Sequence, residues 1–302
     1  MAKVLITGGT GLIGKQLSEL LVAQGYEVGI LSRRRNSNNK SITTYYWDID
    51  KDEIDVEAVN SCDFIIHLAG ANIGSKRWTE KRKQDIIDSR VKSIELILQN
   101  IGVNNSLRAF ITSSAIGYYG AITSERVFTE ADPPANDFLG KTCKLWEQGV
   151  DLFIDKGIRV VKIRTGIVLS DRGGALSSFI PLAKMGLGSA IGSGKQYMPW
   201  IHIDDLVEIY LAALENSELQ GAYNAVAPEH TTNKDFARAI SKTLKRPFWF
   251  PNVPAVVLKA LYGEMSKMIL NGSRVSSNKI ETAGFKFQYS SLYHALESVL
   301  KK

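Results

Sequence analysis

A chain of 302 residues with 44% hydrophobic and 23% charged side chains is long enough to bury a substantial core, and its lack of low-complexity tracts argues against a disordered protein. Cys62 and Cys143 stand far apart and outside any CxxC or Cys/His spacing, so neither a disulfide framework nor a metal site is expected, and a reducing cytoplasm is the expected home. The net charge of +6 is spread along the chain apart from Arg33-Arg34-Arg35 and Lys81-Arg82-Lys83, a pattern that suits anionic cofactors or substrates better than nucleic acid.

No basic stretch followed by a long apolar core opens the chain, and no later segment reaches membrane-spanning length, so neither secretion nor membrane insertion is expected. Short β-branched runs alternate with longer segments of helical period, the pattern of a parallel sheet wrapped by helices. A first strand is predicted at Lys3–Ile6 and a helix at Leu12–Gln24, whose Ile13, Leu17, Leu20 and Leu21 share a face and whose end is marked by Gly25. A second strand at Glu27–Leu31 completes a βαβ unit of about 30 residues. Further strands are predicted at Thr44–Trp47, Phe64–Leu68, Ala109–Ser113 and Arg159–Ile163.

Beyond Leu169, glycines at 173, 174, 186, 188, 192 and 194 break the pattern, and the stretch reads as loops until a helix resumes at Ile203–Leu214. Pro247, Pro251 and Pro254 precede helical stretches that run to the end. The expected architecture is α/β: a Rossmann-type, doubly wound parallel sheet from residues 1–170 with 199–226. A smaller substrate lobe, residues 171–198 with 227–302, is expected to cap the strand ends, where ligands of open α/β sheets sit.

The segment Thr7-Gly8-Gly9-Thr10-Gly11-Leu12-Ile13-Gly14 satisfies both GxGxxG and GxxGxxG, after a strand and at the opening of a helix. Its glycines allow a tight turn and close approach of backbone to a pyrophosphate, whose charge the helix N-terminal N–H groups then hold. NAD-selective sites place an acidic residue about 20 residues further on, for the ribose 2′-OH. Here Ser32-Arg33-Arg34-Arg35 stands in that place, and a guanidinium pairs with a 2′-phosphate, so NADP(H) is expected over NAD(H), with Arg33 as its main contact.

Taken together these segments resemble the extended short-chain dehydrogenase/reductases, the class of sugar-nucleotide epimerases and dehydratases. Besides the glycine loop, Asp48-Ile49 resembles the family's adenine-contacting step, and His67-Leu68-Ala69-Gly70 the end of its fourth strand. Ser113-Ser114-Ala115 with Tyr119-Gly120 is similar to its catalytic serine segment, and Trp200-Ile201-His202-Ile203-Asp204-Asp205 to its late IHVDD step. Arg246-Pro247, Pro251-Asn252-Val253-Pro254, Gly263-Glu264-Met265, Gly272-Ser273-Arg274-Val275 and Gly284-Phe285 resemble a branch of "epimerase family" proteins with a distinctive C-terminal domain. The resemblance implies fold and cofactor class, with Leu68, Ala69 and Gly70 lining the cofactor, and little about substrate.

The catalytic pattern departs from that family. Its enzymes use a Tyr-x-x-x-Lys helix, in which lysine lowers the tyrosine pKa for proton exchange during hydride transfer. Aligning Leu139-Gly140-Lys141-Thr142-Cys143 with that helix puts leucine at the tyrosine and cysteine at the lysine, one helical turn apart, and Arg90 stands at the family's asparagine. Ser114 reads either as a substrate-orienting hydroxyl or as a strand-end serine bonded to backbone. Cys143 reads as a reactive thiol or a small buried hydrophobe, and Arg90 as a cation for an anionic or carbonyl-bearing substrate or a solvated helix arginine. Replacement proton donors are Tyr118, Tyr119, Tyr197 and His202, although His202 also suits a cap on the helix beginning near Asp204. Two functions follow: an NADP(H)-dependent oxidoreductase or epimerase acting on a small polar or anionic substrate as monomer or homodimer, and an NADP(H)-binding sensor that performs no chemistry.

Overall fold

The N-terminal βαβ unit forms along the apolar period of the sequence. In the computed structural model, which describes residues 1–34, 41–103 and 105–301, β1 (Lys3–Thr7) leads into α1 (Leu12–Ala23) and β2 (Glu27–Ser32). Leu17 and Leu21 are fully buried, with Ile13 and Leu20 packed at the rim of the same core. Gly25, at φ +84°, makes the left-handed turn that ends the helix and aims the chain into β2.

The chain continues through β3 (Ile42–Asp48), β4 (Glu53–Ile54), α2 (Val56–Asn60), β5 (Phe64–His67), α3 (Glu80–Asn100), β6 (Ala109–Ala115), β7 (Val127–Phe128), α4 (Phe138–Asp151), β8 (Arg159–Thr165), β9 (Ile167–Ser170) and β10 (Gly173–Gly174). It then forms α5 (Leu176–Lys184), β11 (Trp200–His202), α6 (Ile203–Glu215), β12 (Gly221–Ala225), α7 (Asn233–Thr243), α8 (Ala255–Tyr262), α9 (Ser266–Leu270), β13 (Arg274–Val275), α10 (Asn278–Thr282) and α11 (Leu292–Leu300).

Among the described residues the main sheet has eight strands in the order β12-β8-β6-β5-β1-β2-β3-β4, parallel except where β4 meets β3. The expected Rossmann-like α/β fold is therefore present. One face of the sheet is covered by α1 and α6, the other by α3 and α4. The strand order reverses between β1 and β5, which opens a crevice beyond their carboxyl ends.

Several elements differ from the sequence reading, and three of them show why. β8 runs on to Thr165, past the Ile163 at which an arginine reads as a strand end, because Arg164 is neutralised inside the protein. β12, Gly-Ala-Tyr-Asn-Ala, lacks the β-branched run that marks a strand and is held by pairing with β8. The stretch after Leu169, read as loops, contains α5, which packs with α7 and α11 around Trp200, Phe236, Leu292 and Leu296 in a separate core.

Candidate functional site

The loop between β1 and α1 is built from glycines that cannot all be replaced for the same reason. A Cβ on Gly8, which has φ +70°, would lie 2.9 Å from the Leu68 carbonyl. One on Gly9 would lie 2.5 Å from the Ile30 side chain, and one on Gly14 would lie 2.4 Å from the Gly8 oxygen. These three glycines let backbone and core close up. Gly11 is exposed, and its Cβ would meet only the Gly8 oxygen at 3.2 Å, so the space in front of it is open.

Gly11 is also the N-cap of α1, with no side-chain cap and no acidic residue in the first turn. The amides of Leu12 and Ile13 thus open a helix whose first turn holds no acidic residue, and exposed Thr10 and Gly11 flank the approach. Thr7 Oγ1 accepts from the amides of Leu68 and Ala69, both at 3.1 Å, and so ties the end of β5 to the loop. This cradle fits a dinucleotide pyrophosphate.

On one side of the cradle the register pairs Thr7 with Leu31, which brings Ser32, Arg33 and Arg34 beside the glycine loop. Ser32 Oγ accepts from the Arg34 amide at 3.1 Å, and both arginine side chains are exposed. Arg35 lies outside the described residues. Asp48 ends β3, next in the sheet, and its carboxylate caps the following turn through the Asp50 amide at 3.1 Å.

On the other side, Leu68-Ala69-Gly70 leaves β5 along the crevice wall, with Gly70 exposed. His67, just behind, is fully buried, and its Nε2 meets Ser93 Oγ at 2.8 Å. Burial, reinforced by the Arg90 charge, pushes its imidazole down to about 3, so the folded protein holds it neutral while the unfolded chain takes up a proton near pH 6.5. Between those values the unfolded state binds more protons, and stability falls as pH drops below about 6.5. Urea unfolding is expected to show a loss of about 2 kcal/mol between pH 7 and pH 5 from this group, an increment missing in His67→Gln.

Beyond β5 the site departs from anything the spacing signals. Ser114 on β6, Arg164 on β8 and Asn224 on β12 are register partners in one row across three strands, and all three side chains are buried. Glu147 of α4 closes the row: Arg164 Nε and Nη2 donate to its two carboxylate oxygens at 2.8 and 2.9 Å, and Ser114 Oγ donates to Oε1 at 2.8 Å. Arg164 Nη1 donates to Tyr119 Oη at 2.9 Å, and that hydroxyl donates to Asn224 Oδ1 at 2.7 Å. The Tyr118 ring lies over the guanidinium, 3.5 Å from centroid to Cζ.

Sequence reasoning gave no role to Glu147, Arg164 or Asn224. The one available signal was the pair of charged residues, Lys162 and Arg164, inside the β-branched run Val160–Thr165, since a buried arginine in a central strand needs a partner.

Among the candidate proton donors, Tyr119 is therefore a buried network member, and burial pushes its phenol up to about 12. His202 is the N-cap of α6, accepting from the Asp204 amide at 3.1 Å, with its ring 3.7 Å from that of Tyr289. Capping and packing account for it. Tyr197 donates to Glu125 at 2.9 Å and lies 5.6 Å beneath Arg274. Leu139 and Cys143 do share a face of α4, where they pack against Gly117, but Cys143 is a buried thiol bonded to the Ala115 carbonyl, and burial pushes it up to about 12. It is no thiolate at neutral pH. Ser114 turns to Glu147, while Arg90 leans on Gly70 and stacks on Trp146. Tyr118, half-buried, follows the Gly117 that Leu139 and Cys143 pack against and lies near Cys143.

No group of three or more His, Cys, Asp or Glu side chains that could hold a metal occurs among the described residues, and none of their helices is long and apolar enough to cross a membrane.

The chain is similar across its length to proteins of one family. It is 36% identical to the epimerase family protein YfhF of Bacillus subtilis, over 98% of this chain and 97% of that one. It superposes with a TM-score of 0.89 on the human epimerase family protein SDR39U1, solved with NADPH, at 32% identity over 99% of both chains. The UDP-glucose 4-epimerase of Thermotoga maritima shares the fold, at 19% identity and a TM-score of 0.77 over 99% of this chain and 97% of that one. Residues 253–299 match a domain of unknown function, DUF1731. Residues 4–226, which hold the glycine cradle, the Leu68–Gly70 wall and the Ser114 row, match the NAD dependent epimerase/dehydratase family, and the chain belongs to that family.

Proposed function

We propose that the chain is an NADP(H)-dependent oxidoreductase of the epimerase class, acting on a small polar substrate with Tyr118 in place of the Tyr-x-x-x-Lys acid. The observation that carries this reading is the cradle itself: an uncapped helix N-terminus behind an exposed Gly11, with Arg33 beside it at the end of β2. The NADPH in the human relative supports the same cofactor. In this reading residues 1–170 with 199–226 hold the cofactor, and residues 171–198 with 227–302 shape the substrate side.

The cofactor, when bound, supplies or accepts a hydride. The Leu12 and Ile13 amides hold its pyrophosphate, Arg33 its 2′-phosphate, and Leu68-Ala69-Gly70 line its path. Tyr118 holds a proton at Oη: burial keeps its phenol above the ordinary value, so at neutral pH it stays protonated, able to donate to a developing alkoxide and not to act as a base.

NADPH is expected to bind about ten- to a hundredfold more tightly than NADH, and Arg33→Asp to abolish or reverse that preference. Titration of each nucleotide at moderate salt checks it, and equal affinities in the wild type would sink the assignment.

A second reading, cofactor binding without turnover, is favoured by one observation: Ser114, Glu147 and Arg164 are all committed to each other, and the Tyr and Lys positions are Leu139 and Cys143. Loss of the reduced nicotinamide absorbance across a panel of carbonyl compounds supports the enzyme. Nucleotide-dependent capture of a partner, with no turnover, supports the sensor.

A further inference from the structure

The crevice wall beside Gly70 carries a cation with no counterion among the described residues. Arg90, half-buried on α3, donates through Nη1 to the main-chain oxygens of Ile86 at 2.9 Å and Ala71 at 3.2 Å. Its guanidinium lies 4.8 Å from the Trp146 ring, and a Cβ on Gly70 would come within 3.1 Å of its Cζ. No carboxylate among the described residues pairs with it. The cation that bears on it is a second arginine, Arg82, whose charge opposes its own. Arg82 donates to the Asn72 carbonyl and, at 3.2 Å, to Ser75 Oγ, stands 4.0 Å from Asp85, and keeps a buried Nε with no hydrogen-bond partner.

A guanidinium drawn partly out of water needs an opposite charge or a full set of acceptors, and two carbonyl oxygens with the more distant Ser89 Oγ at 3.5 Å, all on one nitrogen, supply only part of that. The contrast lies within the same protein, where Arg164 is buried with a carboxylate on two of its nitrogens. The cofactor does not supply the missing charge. Its pyrophosphate belongs at the α1 cradle and its 2′-phosphate on the β2 side, whereas Arg90 lies past β5, on the opposite side of β1 in the sheet. A second ligand in the crevice is the one left to bring an anion to it.

We propose that Arg90 is the anion-recognition residue of the substrate site, pairing with a carboxylate or phosphate carried by the substrate beside the Gly70 wall. The proposal deepens the oxidoreductase reading and rests on it for the fate of the bound molecule, but not for its binding. A planar carboxylate matches the fork of the guanidinium in two parallel hydrogen bonds, and a phosphate offers the same pair of oxygens.

The test uses the full chain saturated with NADP⁺ and, separately, oxalate, inorganic phosphate and the neutral isostere oxamide as probes, read by thermal midpoint and by the affinity that its saturation gives. Oxalate or phosphate is expected to bind saturably and oxamide not, which anion binds distinguishing a carboxylate from a phosphate substrate. Arg90→Gln is expected to weaken that binding at least about tenfold, with Arg90→Lys between the two. Absence of saturable binding by either anion, or equal binding by Arg90→Gln, overturns the proposal. Should Arg90→Gln not fold, Gly70→Ala crowds the guanidinium and must weaken the same anion, and unaltered binding there overturns it equally. Anion binding with no turnover of any carbonyl leaves Arg90 standing and removes the enzyme reading; turnover of neutral carbonyls with no anion binding does the reverse.

Discussion

Replacing Glu147 by alanine is expected to cost about 3–5 kcal/mol of unfolding free energy, because it strands the Arg164 guanidinium in the interior. Arg164 and Glu147 are 3% and 4% exposed, and the arginine makes two of its hydrogen bonds to that one carboxylate. Ser114 loses its acceptor at the same time. Glu147→Gln keeps an acceptor oxygen and is expected to lose less. The paired change Glu147→Leu with Arg164→Met removes both charges together and is expected to recover much of the loss, since isolated buried charges cost more than absent ones. Urea denaturation of the three variants decides it. A loss of under about 1 kcal/mol in Glu147→Ala would mean that water reaches the pair and that the row is not a dry network.

Gly11→Leu is expected to abolish NADPH binding, by more than about a hundredfold, while leaving the fold intact. Its backbone has an ordinary φ of −76° and its Cβ meets only one oxygen at 3.2 Å, so a side chain there points into the space a pyrophosphate needs rather than into protein. Gly14→Leu is the control with the opposite character. Its Cβ would sit 2.4 Å from the Gly8 oxygen and 2.6 Å from the Gly9 Cα, so the β1–α1 packing itself gives way. The expected results are thus a folded Gly11→Leu with no nucleotide-induced rise in thermal midpoint, and a Gly14→Leu that is destabilised before any ligand is added. A Gly11→Leu that retains the nucleotide shift would remove the cradle from the site.

The parts of the molecule that were readable in advance are those where a single local rule acts. Glycines at fixed offsets mark the cradle, a 3.6-residue period marks α1, and alternating β-branched runs mark β1, β2, β5 and β6. The row of Ser114, Arg164 and Asn224 obeys no such rule. Its members are 50 and 60 residues apart, and only the parallel register of three strands brings them into line. A lone arginine near a strand end reads as solvent-facing because the carboxylate that neutralises it comes from a different element. His202 shows another case: its motif allows both a proton donor and a helix cap, and of the two the structure uses it to cap α6. The vacancy of the Tyr-x-x-x-Lys positions was legible, since two residues four apart on a helix share a face whatever they pack against.

The last fifty residues match a family model of their own, yet they are stitched into the rest of the chain at the level of single hydrogen bonds. β13 pairs with β7, the Ser276 carbonyl accepts from Asn224 Nδ2 at 3.1 Å, and the Asp205 carboxylate accepts from the Gln288 and Tyr289 amides at 2.8 and 3.0 Å. A recombinational exchange of this segment between relatives therefore carries its own compatibility rule. A hybrid gene joined near residue 252 would keep these bonds when the donor of the upstream part brings Asp205, Asn224 and an extended Val127–Phe128 counterpart, and would leave the Gln288 and Tyr289 amides and the Ser276 carbonyl without their partners when it does not. Lineages of such proteins should inherit the two stretches together, as one unit of descent rather than as interchangeable modules.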